Sequence, residues 1–316
     1  MTLLLILLAL VALAALALAG LAAFTAWSVR RIEAGLPPQG RFVDVPGARL
    51  HVLEAGDPGK PALLMIHGLG GNLRHYSYGL VDALKDRFRV IAVDRPGAGW
   101  SVRHAGASAA LSVQADAMAA LIEALALPGP PTVVGHSLGG AVALALAQRH
   151  PDKVRALALI APLTHTPSRI SPVFDGLKVA RRARGLIGWT LALPAAMARS
   201  EPMLAEVFGP EAVVPHFATR GGALLGMRPG CYANACADLA DGPAELPAMT
   251  GRYAAMRCPV AVLYGRGDRL LRPDEQGETL AASLPGARLT LVDGGHMLPL
   301  TQVDATAAFI AAAAAG

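Results

Sequence analysis

Residues 131–150 read PTVVGHSLGGAVALALAQRH, and this stretch decides the fold. Its apolar beginning predicts a buried strand, its alanine-rich second half predicts a helix, and Gly-x-Ser-x-Gly stands between them at 135–139. A serine at such a junction occupies a strained tight turn, where side chains two residues before and after it would collide with neighbouring backbone. We therefore expect Ser137 to project from the sheet beside the positive end of the following helix. A glycine-rich turn with an idle serine is the alternative interpretation.

Short apolar runs alternate with helical patterns on both sides of this stretch. The candidate strands are 41–45, 49–54, 61–66, 89–93, 131–135, 155–161, 259–264 and 288–292, and the helical patterns occupy about 73–86, 111–126, 138–150, 274–284 and 301–314. The middle strands are continuously apolar, as buried parallel strands are when helices cover both faces of a sheet. This alternation predicts a doubly wound α/β sheet.

The alternation is interrupted once, between residues 163 and 256. This insertion has no strong buried strand, contains helical patches and recurrent prolines, and is too long for a plain loop. We interpret it as a mostly helical cap over the carboxyl edge of the sheet. The predicted organisation is therefore a core in two parts, 41–162 and 257–316, with the cap at 163–256 inserted between them.

Two residues that follow predicted strands have the chemistry to activate Ser137. A hydroxyl is a weak nucleophile at neutral pH and needs a base within hydrogen-bond reach. His296 lies on a glycine-rich loop directly after the last predicted strand, and Asp268 lies just past the end of strand 259–264. Because the carboxyl ends of parallel strands meet at one edge, we expect both residues near Ser137, with Asp268 fixing the tautomer of the imidazole. The chain order Ser, Asp, His is that of one triad arrangement.

Two backbone N–H groups are expected to stabilise the oxyanion that forms at a substrate carbonyl. Leu138, directly after the serine, supplies one of them from the start of the helix. The second is expected from Leu69 in the sequence HGLGG at 67–71, where the glycines let a substrate approach the amide closely. We interpret His67 as a structural hydrogen-bonding residue of this loop.

With these pieces the chain resembles the α/β-hydrolase fold family, in its serine-hydrolase branch with a helical cap. The resemblance covers about residues 41–314 and rests on four motifs in order: HGLGG at 67–71, DRPGAGWS at 94–101, GHSLGG at 135–140 and GRGD…GGH at 265–296. It implies a mostly parallel eight-stranded sheet with an antiparallel second strand and a cap inserted after the sixth. It also implies Ser137, Asp268 and His296 as triad and Leu69 and Leu138 as oxyanion donors. We interpret Asp94 as structural.

The N-terminal segment, residues 3–27, contains 25 uncharged and mostly apolar positions. A helix of this length spans about 37 Å, enough to cross a hydrocarbon core of about 30 Å with some tilt. Trp27 follows as an interfacial residue would. We therefore predict a single-pass membrane anchor at 1–29 in contact with lipid, followed by a linker at 30–40. A cleaved signal peptide is the alternative interpretation.

The orientation of this anchor is predicted from its positive flank. Arg30, Arg31 and Arg41 all lie on the C-terminal side of the apolar segment. The positive-inside rule therefore places the catalytic domain in the cytoplasm.

The cap contains a second uncharged stretch, GLIGWTLALPAAMA at 185–198, which follows arginines at positions 181, 182 and 184. Fourteen residues are too few to span a bilayer. A buried cap helix that faces the active site is the favoured interpretation. The alternative is that Trp189 and the basic flank dip into the membrane interface and admit acyl chains from lipid. Substrate-binding residues stay unassigned within the cap, with Trp189 as the one candidate.

Composition excludes several other classes of protein. Hydrophobic residues make up 53% of the chain and charged residues 16%, which excludes an intrinsically disordered chain. The net charge of +5 is scattered and aromatic residues amount to 5%, so no nucleic-acid surface is expected. We interpret Cys231, Cys236 and Cys258 as small buried hydrophobes, with a Cys231–Cys236 bridge as the alternative. No metal and no cofactor are expected.

The sequence thus predicts a serine hydrolase of esterase or lipase-like type that cleaves carboxylic esters of apolar acyl or alcohol groups. A related triad enzyme (an acyltransferase, a C–C bond hydrolase or a cofactor-free haloperoxidase) is the second interpretation, and a non-catalytic binding scaffold is the third. Relatives that attack with a carboxylate, such as epoxide hydrolases and haloalkane dehalogenases, carry Asp where this chain has Ser137. That difference argues against both of these activities.

Overall fold

The computed structural model describes residues 1–315, and its strands form a mixed β-sheet. The strands are β1 (Arg41–Val45), β2 (Ala48–Ala55), β3 (Ala62–Ile66), β4 (Arg89–Val93), β5 (Val102–Arg103), β6 (Thr132–His136), β7 (Ala156–Ile160), β8 (Val260–Gly265) and β9 (Arg288–Val292). Their spatial order is β1-β2-β4-β3-β6-β7-β8-β9, and the two-residue β5 pairs with β2. β2 is antiparallel to β1 and β4, and all later neighbours are parallel. The eight predicted strands are therefore present, and β5 is a ninth that the sequence did not predict.

Helices connect the strands and extend beyond them at the N-terminus. They are α1 (Thr2–Gly35), α2 (Arg74–Ser77), α3 (Leu80–Leu84), α4 (Leu111–Ala124), α5 (Leu138–Arg149), α6 (Arg184–Thr190), α7 (Ala192–Ala198), α8 (Ser200–Phe208), α9 (Ala223–Gly226), α10 (Pro229–Asp241), α11 (Leu246–Thr250), α12 (Thr279–Ser283), α13 (Leu298–Thr301) and α14 (Val303–Ala315). The helix predicted at 73–86 is divided into α2 and α3. The division falls at Gly79, where a Cβ would lie 3.0 Å from the Val303 side chain, so this glycine lets α14 approach closely.

The core consists of two apolar clusters, one on each face of the sheet. Side chains alternate between the faces of a strand, so neighbouring residues of β3 belong to different clusters. Leu64 and Ile66 pack with residues of α4 and α5, whereas Leu63 and Met65 pack with residues of α3 and α14. Helices on both faces explain why the central strands are apolar at every position.

The helical insertion follows β7, the sixth strand of the main sheet, as expected. Helices α6 to α11 occupy it, with short 3₁₀ turns before α6, between α10 and α11, and after α11. The favoured interpretation of 185–198 as one buried helix is wrong. The stretch forms α6 and α7, and its large side chains at Leu186, Trp189 and Leu191 are exposed. Its buried residues are Gly188, Thr190 and Leu193, and α6 packs against α1 and α10.

Helix α1 is long and apolar enough to cross a membrane by length and composition. It ends at Gly35, so the linker predicted at 30–40 is wrong for residues 30–35. The helix continues because no proline occurs before Pro37 and because Ile32 packs on Leu225 of the insertion.

The three cysteines, Cys231, Cys236 and Cys258, are free in the structure. The alternative of a Cys231–Cys236 bridge is therefore wrong. Cys236 is buried, as expected of a small hydrophobe, whereas Cys231 and Cys258 are half-buried.

Candidate active site

Ser137 occupies the sharp turn between β6 and α5. Its backbone has φ 54° and ψ −122°, a strained conformation for a residue with a side chain. A Cβ on Gly135 would lie 2.6 Å from the Gly139 carbonyl oxygen, and a Cβ on Gly139 would overlap the Ile66 carbonyl oxygen. The two glycines of the motif are therefore required by backbone packing, which is the steric reason that the sequence suggested. The turn places Ser137 directly before the first residue of α5.

The loop after β3 passes directly over Ser137. A Cβ on Gly68 would lie 2.9 Å from the Ser137 Cβ and 3.3 Å from its Oγ. Leu69 follows in this loop, and Leu69, Ser137 and Leu138 all line one cavity. Within the described chain, neither the Leu69 nor the Leu138 N–H donates a hydrogen bond. Two unpaired donors beside a serine hydroxyl are suited to hold a developing oxyanion.

His296 and Asp268 form a buried pair at the ends of β9 and β8. The distance between His296 Nδ1 and Asp268 Oδ2 is 2.7 Å, and both side chains are almost fully buried. The second carboxylate oxygen of Asp268 accepts hydrogen bonds from the backbone N–H groups of Leu270 (2.9 Å) and Leu271 (3.0 Å). These two bonds fix the carboxylate, and the carboxylate in turn fixes the ring of His296.

Ser137 and His296 line the same cavity, so the structure brings the predicted residues to one edge of the sheet. Among the described residues, Ser137 Oγ donates no hydrogen bond to His296. Contacts of this kind are often long in a ligand-free site and tighten when substrate binds. A ligand in the cavity would therefore contact both side chains.

Histidines surround the His296 loop in neutral form. His136 donates from Nε2 to the carbonyl oxygen of His296 at 3.0 Å, and the two rings lie 4.9 Å apart. Burial, reinforced by the proximity of His296, holds the pKa of His136 well below its usual value. Burial likewise lowers the pKa of His75 to about 4. Both rings therefore stay uncharged near neutral pH and add no second cation to the site.

The structural roles predicted for His67 and Asp94 agree with their contacts. His67 Nδ1 bonds the Gly68 carbonyl at 2.8 Å, and its Nε2 accepts the backbone N–H of Arg95 at 3.0 Å. Asp94 accepts the N–H groups of Leu73 (2.6 Å) and Trp100 (2.8 Å) and lies 2.7 Å from His51 Nδ1. Neither residue lines the cavity.

Sequence reasoning missed Arg95, which joins the floor of the site to the insertion. Its guanidinium is fully buried and donates to the carbonyl oxygens of His67 and Gly68, both at 2.9 Å. It also pairs with Asp238 of α10 at 2.7 Å, and Arg103 contacts the same carboxylate at 2.5 Å. Arg95 lies inside the motif at 94–101, which was the available signal. Asp238 had none, because it lies 143 residues further along the chain.

The cavity beside Ser137 is mostly apolar. Its wall includes Leu163, Ile170, Phe174, Leu239, Leu270 and Leu271, and the polar lining residues include Ser137, His296, Asp238, Arg169 and Ser171. Trp189, the one substrate-binding candidate from the sequence, does not line it and is half exposed on α6. The insertion lines the cavity with other residues, among them Phe174, in the 3₁₀ turn at Pro172–Leu177, and Leu239 of α10.

Comparison with known proteins agrees with this architecture. A sequence model of the alpha/beta hydrolase fold family matches residues 61–302. The magnesium-chelatase 30 kDa subunit of Rhodobacter capsulatus is 29% identical, over 82% of this chain and 88% of that protein. The pimeloyl-[acyl-carrier protein] methyl ester esterase of Chromobacterium violaceum is 31% identical, over 72% of this chain and 84% of its own.

Two solved structures are similar over most of their length. A membrane phospholipase A, described as a bacterial virulence factor, is 27% identical, covers 99% of this chain and 98% of its own, and has a TM-score of 0.66. A thermophilic esterase from Thermogutta terrifontis is 28% identical, covers 86% of this chain and 97% of its own, and has a TM-score of 0.64.

Proposed function

Because this chain belongs to the α/β-hydrolase family and is a hydrolase, we propose that it cleaves carboxylic esters with Ser137, His296 and Asp268 as its catalytic triad. The observation that carries the proposal is the buried His296–Asp268 pair, with 2.7 Å between His296 Nδ1 and Asp268 Oδ2, in which His296 lines the same cavity as Ser137. With Nδ1–H donated to Asp268, the Nε2 atom of His296 is the ring nitrogen left to accept a proton.

In the proposed mechanism Ser137 Oγ attacks the ester carbonyl while His296 Nε2 takes its proton. The N–H groups of Leu69 and Leu138 hold the oxyanion, and His296 then protonates the leaving alcohol. A water gives one proton to His296 and attacks the carbonyl of the acyl-enzyme. His296 then returns this proton to Ser137 Oγ as the bond between Oγ and the acyl carbon breaks and the acid is released. Asp268 holds the ring in place and offsets its charge throughout.

The apolar cavity wall supports an apolar acyl or alcohol group as substrate. Two similar proteins fit this class, since one is a methyl ester esterase and the other a phospholipase A. We assign residues 163–256 as the cap that encloses this group, because Phe174 and Leu239 both come from it.

The test is covalent labelling by a fluorophosphonate probe together with turnover of an ester series of increasing acyl length. We expect the wild-type enzyme to be labelled and Ser137→Ala to lose both labelling and about 10⁴-fold or more of its ester turnover. Ser283→Ala, on a helix at the edge of the core, is the matched control and should behave as wild type. Ester turnover by Ser137→Ala at the wild-type rate would overturn the proposal.

The same experiment separates the competing activities. A wild-type protein that is not labelled would be a non-catalytic scaffold, an outcome that the similarity to a magnesium-chelatase subunit makes worth testing. Labelling without ester turnover would favour another triad reaction. An added alcohol as acceptor tests for acyl transfer. A substrate such as 2-hydroxy-6-oxononadienedioate, which gives its name to a similar hydrolase from Burkholderia vietnamiensis, tests for C–C bond hydrolysis.

We also propose that α1 anchors the enzyme in a membrane as a single span, with the catalytic domain in the cytoplasm. The similarity to a membrane phospholipase A over 99% of this chain supports an anchor over a cleaved signal. So does the packing of Thr25 and Ile32, which makes the second half of α1 part of the fold. Intact mass of the purified protein distinguishes the two, and protease protection in sealed vesicles reports the side of the membrane. A mature chain that lacks the first twenty or so residues would contradict the anchor.

A further inference from the structure

Helix α1 consists of two parts that differ in their surroundings. Residues 2–20 are all exposed, whereas from Leu21 to Leu36 one side of the helix is covered at intervals of three and four residues. The exposed part is about 28 Å long, which is close to the thickness of about 30 Å of a hydrocarbon core. The edge of the hydrocarbon core therefore lies near Leu21 if α1 is the anchor proposed above, so the covered part begins in the headgroup region, where Trp27 lies.

The joint between α1 and the core is rigid. Trp100 Nε1 donates to the Leu36 carbonyl at 3.0 Å, and Arg74 donates to the Pro37 carbonyl at 2.8 Å. Glu33 pairs with Arg228 at 2.9 Å, and the Arg228 guanidinium stacks on the Trp100 ring. Because these bonds hold α1 at a fixed angle, they also fix which face of the protein meets the bilayer.

The insertion supplies the cover on α1. α1 contacts α6 and α9, and the α9 contact involves Ile32 and Leu36, which pack with Leu225. The buried Thr25 lies about two turns nearer the bilayer than Ile32, and we infer that α6 covers this part of α1. Helix α6 thus lies beside α1 at the level where the exposed apolar part ends.

The outer face of α6 and α7, which we call the apolar face, has the composition of a membrane interface. Its side chains are Leu186, Trp189, Leu191 and Met197, with 60%, 47%, 50% and 57% of their surface exposed. Arg181 and Arg182 are exposed directly before it, and Trp27 is exposed on α1. Exposed apolar residues flanked by arginines and tryptophan are typical of helices that lie in the headgroup region of anionic membranes.

We propose that the apolar face is seated in the interface of an anionic bilayer beside α1, with Arg181 and Arg182 on lipid phosphates. Acyl substrates then reach the cavity from the bilayer through the cap. The order of the cap helices fits this route. Helix α6 packs on α10, and α10 contributes Leu239 to the cavity wall. The inference rests on the proposed anchor and does not depend on which bond the enzyme cleaves.

The three tryptophans of the chain, Trp27, Trp100 and Trp189, make a direct test. The full-length variants Trp27→Phe, Trp189→Phe and Trp27→Phe/Trp189→Phe all keep Trp100 and therefore the joint, and each is reconstituted in phosphatidylcholine vesicles with one part in five phosphatidylglycerol. Subtracting the spectrum of the double variant gives the emission of Trp27 and of Trp189 separately. Bromine on the upper acyl chain quenches a tryptophan at that depth. We expect emission from Trp27 and from Trp189 to fall about twofold and emission from Trp100, at the joint, to change little.

Each other outcome overturns the proposal in a distinguishable way. Quenching of Trp27 without Trp189 means that the anchor is inserted and the cap faces away from the bilayer. Quenching of neither means that the anchor itself is wrong. If Trp189 emission changes with the ratio of protein to lipid but is not quenched by bromine, a second copy of the chain covers the apolar face. None of these readouts requires catalysis, so they stand if ester hydrolysis is wrong.

A functional arm uses the variant L186S/W189S/L191S/M197S. We expect about a tenfold loss of turnover of a long-chain ester presented in the vesicles, with turnover of a short soluble ester unchanged. The matched control replaces exposed valines elsewhere, Val102→Ser and Val113→Ser, and should affect neither substrate. Equal turnover of the vesicle ester by the variant and wild type contradicts the route through the cap.

Discussion

The floor of the cavity and its cap are held in place by different kinds of interaction. The floor, formed by Ser137, Asp268 and His296, is fixed by local backbone geometry at strand ends, such as the turn with φ 54°. The cap, residues 163–256, is fixed by contacts between distant segments, such as the ion pair of Arg95 with Asp238. The difference suggests that any change to a side chain of the floor affects catalysis directly. The cap, in contrast, affects catalysis through a few buried contacts with the core.

The largest effect is expected at the floor itself. Asp268→Asn keeps the size of the side chain but favours the wrong tautomer of His296, so ester kcat should fall about 10⁴-fold. The measurement is steady-state turnover together with a thermal unfolding curve. Asp116→Asn, at an exposed pair with Arg149, is the control and should keep wild-type turnover. Retention of most activity by Asp268→Asn would mean that the floor does not work as a triad.

The second effect concerns His75, which lies between floor and cap with its ring 5.8 Å from Phe217 of the insertion. In the unfolded chain His75 takes up a proton near its ordinary pKa of 6.5, whereas burial lowers the pKa of folded His75 to about 4. The folded state therefore loses stability as the pH falls through this window. The loss from this one group is about 3 kcal/mol.

His75→Phe removes this proton uptake and should flatten the decline in the free energy of unfolding between neutral pH and about pH 4. Urea unfolding at a series of pH values measures the slope. His104→Phe, at an exposed site, is the comparison and should keep the wild-type slope. An unchanged slope for His75→Phe would show that another group is responsible for the acid sensitivity.

The smallest of the three effects is expected at the link between floor and cap. Arg95→Lys keeps a positive charge beside Asp238 but cannot hold the carbonyl oxygens of both His67 and Gly68. We expect kcat to fall about tenfold with KM nearly unchanged, because the Leu69 N–H is no longer aimed at the oxyanion. Binding of a boronic acid, which mimics the tetrahedral state, should weaken in parallel.

A structural role alone would give a different pattern. If Arg95 only stabilises the fold, Arg95→Lys should lower the melting temperature and leave both kcat and the affinity for the boronic acid unchanged. Arg149→Lys, which weakens an exposed pair with Asp116, is the matched control. It should leave the melting temperature, kcat and the boronic acid affinity unchanged.

The sequence was sufficient wherever a backbone constraint is local. Ser137 and the two glycines that its turn requires, Gly135 and Gly139, lie within five residues of sequence. Each predicted strand is likewise a short apolar run, so local sequence patterns predict both the turn and the strands. The sequence did not predict that α1 extends to Gly35 or that the helix at 73–86 is divided, and the reason is physical. Contacts with distant residues, Leu225 for α1 and Val303 for Gly79, decide where these helices continue or break.

By itself, then, the sequence determined the strand order along the chain, the serine turn and the residues that could serve it, because steric and hydrophobic rules act over a few neighbouring residues. Only the tertiary structure decided that Arg95 meets Asp238 and that α6 turns Trp189 outward. Both depend on how the insertion packs across the sheet edge and against α1. Such packing is a property of surfaces brought together from more than a hundred residues apart, and no local pattern encodes it.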